Sequence, residues 1–298
     1  MFMKRIVLII TALVYMCGIA CAQDATTDNA PRTLFTYPTA PDTCTTLESR
    51  CNYIITHFWD SYDYSRPITD DEAFGNTFRD YVSFFRYAHR NVVKSSIHDF
   101  VNKSQANSSN LIKVAALAEY TLYSRNAIYW SDEVYVAFAK PLAGAKGLPT
   151  NIRNRFKDQL QRINGNQQGA VMDLEYTAVD GTKHRLSELQ AQTYILLFID
   201  DSTDSSMGRV RLSTDVALNN VLDAGNVVLL CLSMCKYSTE WATQAASYNA
   251  NWIAGCSDQI AKTIDLRGVP SCYLLDNERK IVHKQVSVEA LKTIVSPY

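Results

Sequence analysis

Hydrophobic positions recur at helical spacing through the first half of the chain and at strand spacing through the second. Thr46 offers an N-cap, and Leu47, Cys51, Ile54, Ile55 and Phe58 then follow at the intervals of one helix face. The same period runs through Glu72 to Arg90 (Phe74, Phe78, Tyr81, Val82, Phe85), Val92 to Val101, Asn110 to Tyr123, and Asp132 to Lys140, just before Pro141. A last helix is expected from Thr150 to Asn164, between Pro149 and Gly165. The period then changes. Met172 to Ala178 alternates like a strand, Asp180-Gly181 marks a hairpin turn, and Lys183 to Leu186 returns. Next come a buried strand at 194–199, a helix through Gly208 to Leu222, and a strand at Asn226 to Leu232. A helix from Thr239 to Tyr248, a strand at Trp252 to Ala254 and a helix from Asp258 to Ile264 follow. The strand Ser271 to Leu275, a turn at Asp276-Asn277, the strand Lys280 to His283 and a helix Val288 to Ile294 close the chain. This order predicts an α+β two-domain chain: an all-α N-terminal domain, then an α/β sandwich ending in an antiparallel hairpin.

The N-terminus changes the picture, because Lys4-Arg5, an apolar run from Ile6 to Tyr15 and small residues from Gly18 to Ala22 have the layout of a bacterial secretory signal. That run is too short to span a bilayer. Ala20-Cys21-Ala22 suits ordinary cleavage before Gln23, whereas Ile19-Ala20-Cys21 would suit lipidation of Cys21. Gly18, standing where a lipobox prefers an aliphatic residue, favours ordinary cleavage. The expected organisation is therefore a signal peptide at 1–22, a flexible, proline-containing tether at 23–40, a helical domain at 41–165 and the sandwich at 166–298. A net charge of −1 offers no field for nucleic acid or anionic lipid, and no second run is long enough to cross a membrane. Of eight cysteines, two fall in the signal. Cys44, Cys51, Cys231, Cys235, Cys256 and Cys272 would enter an oxidising periplasm.

Gly268-Val-Pro-Ser-Cys-Tyr-Leu-Leu-Asp276, in this order of elements, resembles the thioredoxin-like domain of the periplasmic thiol-disulfide oxidoreductase and peroxiredoxin-related superfamily. Asp173-Leu-Glu-Tyr-Thr, Asp180-Gly-Thr and Leu186-Ser-Glu-Leu189 resemble that family's entry hairpin. The resemblance implies a cis bond before Pro270 and a Cys-x-x-Cys pair at the start of the helix after strand 194–199. Here the chain departs from the family, because Thr203-Asp-Ser-Ser206 places hydroxyls at both cysteine positions. A hydroxyl can neither form a disulfide nor supply a thiolate near neutral pH. In the helical half, His57-Phe-Trp-Asp-Ser-Tyr-Asp-Tyr64, Ala118-Glu-Tyr-Thr-Leu-Tyr-Ser124 and Asp132-Glu-Val-Tyr-Val-Ala-Phe138 resemble an uncharacterised helical domain that precedes thioredoxin-like domains in Bacteroidetes envelope proteins.

No catalytic residue is expected at the degenerate loop. What the resemblance leaves is a peptide groove formed by Thr203, Ser206, Val269 and Pro270. Cys235, Cys256 and Cys272 lie at or near strand ends and read first as structural or free thiols; in the sheet that the resemblance implies, Cys235 and Cys256 can converge on one rim as a disulfide, and a relocated redox centre is the competing reading. Cys231 reads as core, and Cys44 with Cys51 as a bridge at the first helix or a packed thiol. Asp200-x-Ser202-x-Asp204 has oxygen donors for a hard cation, but its better reading is a loop that caps the next helix. No metal or other cofactor is expected. Phe58, Trp59, Tyr62 and Tyr64 at helical spacing read as packing before ligand contact. The expected product is a secreted envelope protein, non-catalytic, with a protein or peptide partner. The competing readings are an oxidoreductase using relocated cysteines and a structural module that binds through its helical half.

Overall fold

The computed structural model describes residues 33–295, so the expected signal peptide, Cys21 and the start of the tether lie outside the described residues. From Leu34 onward the expected tether lies against the helical half. Leu34 donates its N–H to Thr77 Oγ1 at 3.0 Å, Tyr37 donates to Asp80 at 2.6 Å, and the Phe35 ring packs on Phe58 and Trp59. Apolar side chains so close to a core dock, even in a proline-containing segment.

The helical half contains α1 (Leu47–His57), α2 (Asp71–Ser83), a 3-10 turn (Phe85–Tyr87), α3 (Arg90–Ser104), α4 (Ser108–Leu122), α5 (Asp132–Gly144) and α6 (Thr150–Gly165). Caps decide several boundaries. Thr46 and Ser49 form a reciprocal capping box on α1, and Asp70, Asn107 and Ser131 cap α2, α4 and α5. The expected helix 72–90 stops at Ser83, whose hydroxyl binds the Asp80 carbonyl at 2.6 Å in competition with the helical ladder. Helix α5 continues through Pro141 to Gly144, since a proline in the last turn removes one ladder bond without blocking many that follow. Inside, Phe58, Phe74, Phe78, Phe100, Phe138 and Tyr81 are all buried. Trp59 stacks on Phe100 at 4.4 Å, worth about 0.5–1.5 kcal/mol beyond area burial. The aromatic run at 57–64 is therefore largely core.

The second half is one mixed sheet in the order β2-β1-β5-β4-β3-β6-β7. Its strands are β1 (Glu175–Ala178), β2 (Lys183–Arg185), β3 (Thr193–Ile199), β4 (Val227–Ser233), β5 (Trp252–Cys256), β6 (Ser271–Asp276) and β7 (Ile281–Val286). Helices α7 (Thr203–Ser213), α8 (Val216–Asp223), α9 (Thr239–Ala245), α10 (Ile260–Thr263) and α11 (Val288–Val295) complete it. β3, β4 and β5 run parallel, β6 runs antiparallel to β3, and β7 runs antiparallel to β6. Because side chains alternate along a strand, Tyr194, Leu196 and Phe198 enter one core, and Ile195, Leu197 and Ile199 enter the core on the other face. That double burial explains the unbroken apolar run. The single helix expected from Gly208 to Leu222 is two, broken where Asp215 accepts from Leu218 N at 2.9 Å and caps α8. No described helix is long and apolar enough to cross a membrane.

Candidate binding groove

Helix α7 begins where β3 runs out, and its N-cap Ser202 accepts from Ser205 N at 3.2 Å. Below the loop, Asp200 Oδ1 accepts from Ser202 N at 3.1 Å, from the Ser202 hydroxyl, and from Ser205 Oγ at 2.6 Å. Burial alone would raise the Asp200 carboxyl, but the bonds from Ser202 and Ser205 outweigh it and hold the group below the usual carboxylate range. Asp200 is thus spent on the loop itself. Among the described residues no cluster of His, Cys, Asp or Glu is arranged to hold a metal ion. The loop acts as a cap.

Thr203, the first residue of α7, is exposed, and Ser206 one turn later is half-buried. The Val269–Pro270 bond is cis, as the resemblance implies, and the proline sits against this helix. Gly208 makes that approach feasible: a Cβ there would lie 2.8 Å from Pro270 Cγ. Of the four expected groove residues, Pro270 meets α7 at Gly208, and Val269 is joined to the start of α7 through Arg125, whereas Ser206 lines a cavity shared with Arg209, Cys235 and Trp241.

A fifth residue makes the second of these links. Arg125, in the loop between α4 and α5, donates from Nη1 to the Val269 carbonyl at 2.9 Å and faces Asp204 at 3.7 Å. Its side chain crosses Gly268, where a Cβ would fall 2.4 Å from Arg125 Cδ. The helical half therefore supplies a donor to the carbonyl of the residue before the cis proline. Nothing in the local sequence marks Arg125, because its partner lies 144 residues away.

Beneath Arg125 the two halves share a buried polar cluster. Asp265 accepts from Tyr123 at 2.8 Å, Gln285 at 3.1 Å, Lys284 at 3.2 Å and Arg267 at 3.3 Å. Arg267 also pairs with Asp132 and lies between the rings of Tyr123 and Trp130, at 4.3 and 4.6 Å. Lys284 reaches Asp132 at 2.5 Å.

The cysteines separate into two places. Cys235, half-buried, packs with Cys256 and Trp241 beyond the ends of β4 and β5. Cys272 is fully buried on β6, across Leu197 from Cys231, in a different core cluster. Burial pushes the thiols of Cys231 and Cys256 up to about 12 and those of Cys235 and Cys272 above the usual value. A catalytic thiol needs the opposite shift. Between Cys235 and Ser206 lies a cavity of about 240 Å³, walled also by Arg209, Trp241 and Tyr248.

Residues 19–166 match the model of DUF5106, a domain of unknown function. A thioredoxin-like protein from Bacteroides caccae, 19% identical, aligns over 88% of this chain and 98% of its own with a TM-score of 0.72. A conserved protein of unknown function from Bacteroides fragilis is 27% identical over 44% of this chain and 97% of its own, with a TM-score of 0.40. The thioredoxin domain of a thiol-disulfide oxidoreductase from Bacteroides vulgatus is 15% identical over 44% of this chain and 99% of its own, with a TM-score of 0.36. No curated protein matches the chain. The first likeness extends the shared fold over both halves.

Proposed function

We propose that this chain, which pairs a DUF5106 domain with a thioredoxin-like domain, is a secreted periplasmic module that holds a polypeptide partner without redox catalysis. The observation that carries the reading is the pair of hydroxyls, Thr203 and Ser206, in the first turn of the helix that meets the cis Val269–Pro270 bond. The position persists without its nucleophile. An extended segment would bind through the backbone at Val269, displacing Arg125 from that carbonyl. A thiol oxidoreductase working through Cys235, Cys256 and Cys272 is the competing reading. The raised thiols, and the burial of Cys272 in a separate cluster, weigh against it.

Insulin reduction should proceed at the uncatalysed rate with wild-type protein and with a variant carrying Ser at 235, 256 and 272. Wild-type turnover that disappears in that variant overturns the reading. Changing Thr203→Cys together with Ser206→Cys should create reductase activity, and its absence would show that these positions do not stand where the family's cysteines do. Arg125→Ala should tighten binding of carboxymethylated, permanently unfolded lactalbumin about tenfold, because a charge-assisted hydrogen bond of about 1.5–3 kcal/mol no longer competes for Val269. Unchanged affinity would move the partner away from the groove.

A further inference from the structure

Six cysteines fall within the described residues, and Cys235 and Cys256 are a pair brought together where β4 and β5 end. β4 and β5 are parallel neighbours with Ser233 opposite Cys256, and Ser257 N–H binds the Ser233 carbonyl at 3.0 Å. On the other side of Cys256, β1 pairs Thr177 with it. Past the end of β4, Met234 N–H binds the Ile199 carbonyl at 2.9 Å, so the chain still follows the sheet when it reaches Cys235. Cys235 lies two residues past Ser233, the residue opposite Cys256, so a bridge would run diagonally from the turn after β4 to the last residue of β5. The side chains meet as well: Cys235 and Cys256 pack in one cluster beside Trp241.

Exposure sets an order between them. Cys235 lines the cavity of about 240 Å³, whereas Cys256 is 1% exposed behind it. We propose that Cys235 and Cys256 are a disulfide-forming pair, with Cys235 the sulfur that an incoming disulfide meets first and Cys256 the one that resolves it. Cys235, as thiolate, attacks one sulfur of the incoming disulfide. A mixed disulfide forms, and the departing thiolate takes up the proton that Cys235 lost. Cys256, deprotonated in turn, attacks the Cys235 sulfur and expels the second thiol. Two electrons pass from the cysteines to the incoming disulfide, which leaves as two thiols, and the two protons go with them. The raised thiols make both steps slow, which suits a bond formed once during maturation and not a cycle of turnover. The product would tie the turn after β4 to the end of β5 beside α9.

Purified full-length protein is treated with oxidised glutathione, alkylated under denaturing conditions and mapped without reduction. A single peptide linking Cys235 to Cys256, two fewer alkylated thiols, and a melting temperature about 5 °C above that of the reduced form are expected. Free thiols at both positions, or Cys235 bridged to another cysteine, overturn the proposal. Cys256→Ser should retain one glutathione on Cys235, and Cys235→Ser should retain none on Cys256. Equal labelling of the two variants overturns the order of attack. Cys272→Ser should leave the linkage intact, and its loss there also counts against the pair.

Discussion

Asp200 illustrates how one carboxylate can hold a loop together. Its folded-state value is depressed, because hydrogen bonds from Ser202 and Ser205 outweigh the burial that would raise it. A depressed acid stabilises the fold above its ordinary value, and that contribution disappears as pH falls from there through the folded value. Acid unfolding followed by near-ultraviolet dichroism should therefore show a steeper limb below about pH 4 in wild type than in Asp200→Asn, whose midpoint should change less with pH. The start of α7 and the cis Val269–Pro270 bond were legible because a buried strand, a loop of helix-capping residues and a later Val-Pro mark the place from both sides. Arg125 was not, since a charged residue in a polar loop looks like any solvated side chain until the fold brings Val269 to it.

Among the elements, α7 depends on contact at Gly208. Alanine there would gain up to about 1 kcal/mol in helix propensity, yet its Cβ would lie 2.8 Å from Pro270 and 3.2 Å from Val288. Overpacking of that kind costs about 1–3 kcal/mol, so Gly208→Ala should lower stability on balance, read as a smaller urea midpoint with an unchanged slope. Substitution with no loss would mean that α7 and the proline can separate easily. Element types were read well wherever one period ran long, as in β3 and α4. Boundaries shifted where a side chain decided the matter, with Ser83 ending α2, Asp215 starting α8 and Pro141 failing to stop α5. Such competition between side chain and backbone leaves no trace in hydrophobic spacing.

In the whole molecule, Asp265 joins the helical and sheet halves through Tyr123 on one side and Arg267, Lys284 and Gln285 on the other. Asp265→Asn would leave two cations sharing Asp132 in a buried site. A loss of about 3–5 kcal/mol is expected, measured by urea unfolding, and a change below about 1 kcal/mol would show that water already reaches the cluster. The sequence could not reveal this junction, because Asp, Arg and Lys read as surface in a linear string and only the fold buries them. The same junction fixes the electrostatics above it. Arg125 is a permanent cation held near the first turn of α7, balanced at present by Asp204 at 3.7 Å. Remove that balance with Asp204→Pro or Asp204→Gly, place a thiol at 203, and the helical half becomes a built-in counterion that favours the thiolate. A redox centre rebuilt in this scaffold would draw its reactivity from a domain that carries no cysteine of its own in the reaction.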